Sequence, residues 1–518
     1  MGKGASRFAE ARVGRRSPVN TGAPWPTPEE AEARVLHHQR KLHKWASTDK
    51  QRRFRDLWNL VCDPATLLVA WRRVRDNKGS RTAGMDGITR HHVEHRVGVE
   101  RFLEDIRSSL KNGTFKPLPV KERGIPKRDG KVRYLGISPL RDRVVQMALK
   151  LVLEPIFETD FYASSYGWRP GRRTQDAIAE IVVLGNNTYG WVAEFDVEAC
   201  FDRVDRRALM SEVERRVGDR KVLALIRAFL RAGVMTEAGQ LERRLTGTPQ
   251  GGILSPLLMN VALDVLDREF EHRWDEMSRY RGRRRYLASK GLPVYRLIRY
   301  ADDYVVLVKG TRDQAGAVMA QVPAILGRMG LENSAAKTRL THIDEGFTFL
   351  GFRVQRRPRQ GRKPCVYTFV CDEALASIKR KVKALTRRNT TSLTLAQLIR
   401  RLNPILRGWA AHFRFAAATR TFSYLGHYVW WRVARWLRKK HKGRTHKWLK
   451  RRYRLPGSPQ EEGRVLFNPA GMRVIRYRFR GSRIAAPWND ADARGARFRR
   501  TSFDEPAFLG RLQESLVG

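Results

Sequence analysis

Two places in the chain put carboxylates where they could hold a metal ion. Asp196 closes the apolar run Trp191-Val192-Ala193-Glu194-Phe195, and Asp302-Asp303 stand between Arg299-Tyr300-Ala301 and Tyr304-Val305-Val306-Leu307-Val308. Most Asp-Asp pairs are solvated turn residues. Here segments that read as strands flank the pair on both sides, and the third aspartate ends another such segment. Like charges held at one sheet edge call for a cation. Hard Mg2+ takes carboxylate oxygens, keeps several waters and accepts phosphate oxygens. Two such ions together clamp the attacking and leaving oxygens of an in-line displacement at phosphorus. The expected chemistry is therefore nucleotide addition with two Mg2+ ions. A second pattern, His91-His92-Val93-Glu94-His95, fits the H-x-x-E-H spacing of inverted zinc peptidases. With 12 histidines in a highly charged chain such a match arises by chance, and the segment reads as a solvated helix.

The elements that must position the aspartates are legible around them. Trp191–Asp196 reads as a buried strand, and residues 299–308 read as two strands around an Asp-Asp turn. A helix should follow, with Val318, Val322, Ile325, Leu326 and Met329 on one stripe, Thr311 and Gln314 as a capping box and Gly330 as its stop. Upstream, Asp129-Gly130 between Val120/Ile125 and Val132/Tyr134/Leu135 predicts a hairpin. Helices are expected over about 31–74, 138–160 and 174–185, with a glycine-punctuated loop from Asn77 to Gly87. Beyond 371 the pattern is helical, with Leu375, Ile378, Val382 and Leu385 marking one helix and 394–415 and 422–440 two more. The last sixty residues are basic and broken by Gly and Pro, and no fold is assigned to them.

Charge narrows the partners. The chain has 518 residues, 102 Lys+Arg against 52 Asp+Glu and a formal charge of +50. Length alone suggests about three or four domains. Self-repulsion on this scale calls for a polyanion, and counterion release from phosphates is the usual compensation. Membrane-surface binding would favour one basic amphipathic segment, whereas here basic residues run throughout. From Arg432 to Arg454 there are 12 Lys/Arg in 23 residues without an acid, interleaved with Trp436, Trp448 and Tyr453, which favours phosphate contacts. The four cysteines, Cys62, Cys200, Cys365 and Cys371, form no C-x-x-C pair, so neither a zinc module nor a disulfide framework is expected. No run of about 20 apolar residues and no signal peptide is present, so a cytoplasmic, nucleoid-associated protein is expected.

These segments together resemble a known family. Phe195-Asp196-Val197-Glu198-Ala199-Cys200-Phe201-Asp202 resembles the first catalytic motif of reverse transcriptases, and Tyr300-Ala301-Asp302-Asp303 the second. Between them, Gly247-Thr248-Pro249-Gln250-Gly251-Gly252 is similar to the Pro-Gln-Gly motif. Ser165-Tyr166-Gly167-Trp168-Arg169-Pro170-Gly171-Arg172 resembles an upstream block, and Phe349-Leu350-Gly351-Phe352 the primer grip. The Asn77–Gly87 loop and the segment Leu395 to Trp431, with Leu402-Asn403-Pro404-Ile405-Leu406-Arg407-Gly408-Trp409, resemble the bacterial group II intron subfamily. The implied fold is α/β (α+β): a right-hand polymerase with fingers, an antiparallel palm sheet carrying the aspartates, and an α-helical thumb/maturase domain. The implied boundaries are an N-terminal and template-loop region to 95, fingers and palm over 96–370, thumb/maturase over 371–455 and a basic, DNA-binding segment over 456–518.

Residue roles follow from the resemblance. Asp196, Asp302, Asp303 and the Val197 carbonyl are the implied metal ligands, and Lys337 the implied general acid for pyrophosphate. Phe201 matches the ring that excludes a ribose 2′-hydroxyl, although a buried Phe at a strand end is more often core. Gln250, Lys127 and Arg133 match nucleotide-binding positions. Nucleic-acid contacts are implied for Asn77, Lys78, Arg169, Arg172, Gly251, Gly252, Arg407, Arg438, Lys439, Lys440 and Lys442. The basic stretch Ser278 to Pro293 departs from the family pattern as either a nucleic-acid loop or a tolerated surface one. Many relatives carry a Cys/His nuclease domain at the C-terminus, and no such cysteines occur here, so second-strand cleavage is not expected. The favoured function is an intron-encoded reverse transcriptase that helps its RNA splice and copies it into DNA. The expected partners are group II intron RNA, target DNA with a primer, and deoxynucleoside triphosphates, with no membrane. A free-standing retron- or defence-type enzyme and a splicing-only maturase remain the alternatives.

Overall fold

The computed structural model describes residues 25–489 apart from 127–131, 243–245, 249, 456 and 482–483. Lys127 and the Asp129-Gly130 turn lie outside the described residues.

The N-terminal helix, Pro28–Thr48, begins at a capping box between Thr27 and Glu30 and packs on the helices Pro64–Asp76 and Leu140–Phe157. The single helical region expected over 31–74 is broken. Phe54 leaves it to bridge Val217, with Phe54 N–H donating to the Arg216 carbonyl at 2.8 Å, and Asp219 accepts from the Leu57 and Trp58 amides. Those tertiary bonds outweigh the local helical pattern.

The strands β1 (Val120–Pro126) and β2 (Val132–Ile137) form the expected antiparallel hairpin, from Lys121↔Ile137 to Pro126↔Val132. They are extended by the short strands β4 (Val234–Met235) and β5 (Leu241–Glu242). The central sheet runs in the order β6-β7-β3-β8, all antiparallel: β3 is Trp191–Asp196, β6 Val294–Tyr300, β7 Asp303–Lys309 and β8 Arg339–His342. The helices Thr174–Asn186, Ser255–Met277 and Arg312–Gly327 pack on it. Every residue of β6 is buried, as are residues 304–308 of β7, which is why 304–308 reads as an apolar run rather than an alternating strand. The expected Thr311/Gln314 capping box opens the third of these helices, and Gly330 follows it with φ +67°.

Beyond the palm, β9 (Phe347–Phe349), β10 (Phe352–Arg359) and β11 (Arg362–Val370) make a small sheet, β9 and β10 joined through Leu350-Gly351 at φ +51° and +81°. Four helices follow: Asp372–Leu385, Leu395–Phe413, Thr419–Lys440 and His446–Tyr453. The described part of the last sixty residues, up to Asn489, is largely irregular but attached by side-chain and backbone bonds. Glu461 accepts from the Ala396 amide at the start of one thumb helix (3.0 Å), and Asn403 bonds both the Val465 carbonyl and the Phe467 amide. The chain then runs back across the molecule. Ile475 N–H donates to the Arg414 carbonyl, Tyr477 and Arg480 bond the buried Asp176, and Trp488 Nε1 donates to Gln39 Oε1 at 3.1 Å. This part of the segment expected to bind DNA is a strap whose inward face is occupied within the chain. The helices Ser255–Met277 and Thr419–Lys440 are long, yet among the described residues no helix is long and apolar enough to cross a membrane.

Candidate active site and nucleic-acid interface

The antiparallel register of β3 and β7 sets Asp196 directly opposite Asp303, and that of β6 and β7 pairs Tyr300 with Asp303. Asp303 is therefore the first residue of β7, and the two-residue turn is Ala301-Asp302 rather than Asp302-Asp303. Two-residue hairpin turns that match strand twist require positive φ at their first position. Ala301 adopts it at φ +61°, an uncommon and strained state for a residue with a Cβ.

Two devices hold that turn. A Cβ on Gly167 would stand 2.1 Å from the Ala301 amide nitrogen, so only glycine lets the 165–172 block lie against it. Beneath the turn, Arg299 is 0% exposed. Its guanidinium donates to Ala301 O (2.9 Å), Asn260 Oδ1 (3.0 Å), Ser165 Oγ (2.7 Å) and both carboxylate oxygens of buried Asp267. On the β3 side, Ser334 N–H donates to the Asp196 carbonyl (2.8 Å) and Glu198 N–H to Glu332 O (2.9 Å). These bonds flank the Val197↔Asn333 bridge and leave the Val197 carbonyl out of it. Sequence reasoning missed Arg299, Asp267 and Gly167. An arginine inside an apolar strand beside the turn was the available signal, because a buried cation demands a partner.

The carboxylates crowd one another. Burial, then the charge of Asp196, raises the Asp302 pKa, against the pull of Arg133 and Arg299. Asp303 keeps an exposed edge, yet lost hydration followed by the Asp302 and Asp196 charges pushes it up to about 7, with Lys337 opposing. Lys337 Nζ lies 3.0 Å from Asp196 Oδ2. Among the described residues no three His, Cys, Asp or Glu side chains are gathered tightly enough to hold an ion by themselves. The donor set nonetheless suits hard divalent cations, which bring water and phosphate oxygens of their own. At the other pattern, the His91 and His95 rings stand 4.5 Å apart and Glu94 lies 3.8 Å from Arg90, and no zinc set forms there either.

The fingers reach this site. Arg133, on β2, is near enough for Asp302 to feel its charge, and its Nε is buried without a partner. The Gln250 carbonyl accepts from Gly136 N–H (2.7 Å), docking the Pro-Gln-Gly loop on β2. Gly251 has φ +109°, and a Cβ there would meet Gly136 O at 2.9 Å. The close approach that Gly251 permits is thus to the fingers backbone, where a template contact was expected; Gly252 is buried beside it. A cleft lined by Glu122, Tyr134, Gly136, Asp202, Arg206 and Gln250 opens here. Phe201 is 8% exposed, its ring edge-on to Trp168 at 5.3 Å.

Two of the residues expected to contact nucleic acid, Arg169 and Arg172, are enclosed within the protein. Arg169 is buried, with its donors on Glu158 and on the Tyr162, Ser165 and Phe161 carbonyls, and Arg172 lies over Tyr166 with a bond to Ala163 O. Guanidinium groups so enclosed are unavailable to nucleic acid. Asn77 and Lys78 are exposed, as is Arg407, which lies over the Phe467 ring. In the thumb, Arg438, Lys439 and Lys442 are exposed, but Lys440 Nζ donates to Thr391 O at 2.9 Å. The aromatic residues read as interleaved stacking groups face inward: Trp436 and Tyr453 are buried, and Trp448 is half-buried against His441. The outward rings are Tyr424 and Trp431, 48% and 40% exposed. With Arg420, His427, Arg435 and Arg438 they form one exposed stripe along the helix Thr419–Lys440, at helical spacing.

Known proteins carry the same organisation. Residues 125–354 match the family model described as reverse transcriptase (RNA-dependent DNA polymerase), and residues 375–454 match the group II intron maturase-specific domain. Protein YkfC of Escherichia coli is 36% identical over 360 residues, covering 66% of this chain and 93% of that protein. The group II intron-encoded protein LtrA of Lactococcus lactis subsp. cremoris is 27% identical over 465 residues, covering 76% of each. The chain belongs to the group II intron reverse transcriptases. Its polymerase match spans the two aspartate strands, and its maturase match spans the thumb helices. A reverse transcriptase of this kind takes nucleic acid and deoxynucleoside triphosphates as substrates and uses divalent metal, and its maturase domain binds intron RNA. Among solved structures, a partial Cas6-RT-Cas1–Cas2 complex aligns at TM-score 0.31 and 25% identity, covering 52% of this chain and 41% of that one, a likeness too slight to add to the fold described above.

Proposed function

We propose that this group II intron reverse transcriptase extends a primer with two Mg2+ ions held by Asp196, Asp302, Asp303 and the Val197 carbonyl, copying its own intron into a DNA target. The observation that carries the reading is the register that sets Asp196 opposite Asp303, with Asp302 in the adjoining turn. Bound there, divalent ions neutralise charge on the attacking and leaving oxygens. The chain's own residues do the rest. Arg133 of the fingers, together with Lys127, holds the triphosphate. Gln250 lines the nucleotide pocket, and Phe201 closes it against a 2′-hydroxyl. Lys337, at the edge of the aspartates, delivers a proton to pyrophosphate.

The exposed thumb stripe and Arg438, Lys439 and Lys442 grip the folded intron RNA, with Asn77, Lys78 and Arg407 as further phosphate contacts. The division into an N-terminal region to 95, fingers and palm to 370, thumb/maturase to 455 and a C-terminal segment follows these roles, and nucleoid association follows from the DNA target. The thumb helices weigh against a free-standing retron-type enzyme, and the complete aspartate set weighs against a splicing-only maturase. The test is Asp302→Asn. Extension of a primed RNA template should fall about a hundredfold or more, the scale of losing one group that stabilises a transition state. Affinity for the intron RNA and assistance to its splicing should persist. Near-normal extension by this variant would sink the assignment.

A further inference from the structure

Residues 278–293 leave the palm between the helix Ser255–Met277 and β6 as one short helix, Arg283–Ser289, with a loop on either side. None of that helix is buried. Its attachment is light: the Arg284 guanidinium lies over Trp274 at 4.5 Å and bonds Tyr189, and Gln314 Nε2 donates to Gly291 O at 2.6 Å. Leu287 packs against the core and Arg283 is half-buried, while the remaining cations and both tyrosine rings point outward. Arg279, Arg281, Arg285 and Lys290 are exposed, and the stretch holds no acid. Tyr280 and Tyr286 are 52% and 51% exposed, each beside a cation: Arg283 lies 5.4 Å from the Tyr280 ring and Lys290 5.9 Å from the Tyr286 ring. Two half-exposed rings framed by unneutralised arginines do nothing for the core, and they are the combination on which bases stack while phosphates are held.

The position separates this surface from the polymerase site. It adjoins Val294, which pairs with Lys309, whereas the aspartates adjoin Tyr300 at the other end of β6. Six strand steps put the two about 20 Å apart. We propose that residues 278–293 form a second RNA-binding surface, taking unpaired bases on Tyr280 and Tyr286 and phosphates on Arg279, Arg281 and Arg285. A membrane surface fits poorly, because a two-turn helix with three consecutive arginines has no apolar face. An acidic protein would use the charge but not the rings. The inference is independent of which RNA the thumb grips.

The experiment uses the full chain and a fluorescent RNA hairpin with a single-stranded loop containing 4-thiouridine. Replacing both rings, Tyr280→Ala with Tyr286→Ala, should weaken binding about fivefold or more per ring. The triple variant Arg279→Gln, Arg281→Gln, Arg285→Gln should flatten the salt dependence of binding by about 2 in log–log slope. Photocrosslinks should map to 278–293, and extension of a saturating primed template should match wild type in both variants. Unchanged affinity and slope, or crosslinks confined to other segments, would overturn the proposal. Loss in the arginine variant alone would overturn base stacking, and a ring-dependent preference for the DNA hairpin of the same sequence would overturn the assignment to RNA.

Discussion

At the scale of single residues, the site depends on groups that never meet substrate. Arg299 ties the Ala301-Asp302 turn to Asn260, Asp267 and Ser165 through the interior. Arg299→Lys keeps the charge but not the planar fork. We expect it to lose about 3 kcal/mol of stability, the scale of breaking a buried pair. The rate of nucleotide addition should fall while the apparent nucleotide affinity changes little, because Arg299 positions Asp302 and does not touch nucleotide. Denaturant unfolding and single-turnover extension would show the split. Phe201 poses the opposite case, since its ring is packed on Trp168 and also bounds the proposed nucleotide pocket. Phe201→Val should raise ribonucleotide use relative to deoxyribonucleotide about tenfold or more and cost about 1–3 kcal/mol of packing. Measured ratios that do not move would return Phe201 to the core. The three aspartates were legible in the sequence because strand-end carboxylates are rare against apolar runs. Arg169 was misread, because a motif arginine and a buried structural arginine look alike until Glu158 is known to stand beside it.

At the scale of elements, the β9–β10 hairpin, the helix Thr174–Asn186 that packs on the palm sheet and the thumb meet at His412. Gln175 Nε2 approaches His412 Nδ1 at 3.2 Å, and Phe352 and Phe413 close around the ring. Burial lowers its pKa to about 4, and its Nε2 has no partner. A histidine held neutral in the fold contributes stability fully present above its unfolded pKa near 6.5, which is lost as pH falls toward the folded value. Wild type should therefore lose about 3 kcal/mol more than His412→Phe between pH 7 and pH 4, as equilibrium unfolding at several pH values would reveal. Parallel losses would remove His412 as the cause. In the helix Thr419–Lys440, the exposed stripe predicts that Tyr424→Ala with Trp431→Ala lowers intron-RNA affinity about fivefold per ring with little change in melting temperature. The helices themselves were legible from their apolar periodicity, as were the palm strands. Which aromatic residues face water was not, because Trp436 and Trp431 differ only in where the neighbouring helices fall.

At the scale of the whole molecule, the final described segment joins parts that the sequence gives no reason to connect. Arg480 and Tyr477 cover the buried carboxylate of Asp176, and Trp488 reaches Gln39, whose own amide donates to Leu151 O in the helix Leu140–Phe157. Such contacts escape sequence reading because an irregular, basic segment has no periodicity to betray its partner. Arg480→Leu should destabilise the chain by about 2 kcal/mol, since it strips a charged partner from a buried carboxylate that Tyr477 still serves. Limited proteolysis should then cut first within 473–489, and an unchanged cleavage pattern would show the segment to be held otherwise. The same path bears on how the enzyme is made. Gln39 and His43 are made well before the thumb, yet the indole that covers them is among the last of the described residues to leave the ribosome. Until then the first helix lacks its outer layer, so a nascent chain with a finished palm still presents an unsealed edge at its N-terminal end. The first helix is therefore covered by this indole only after the thumb helices have been made, and RNA that engages the thumb early meets a protein still lacking that contact.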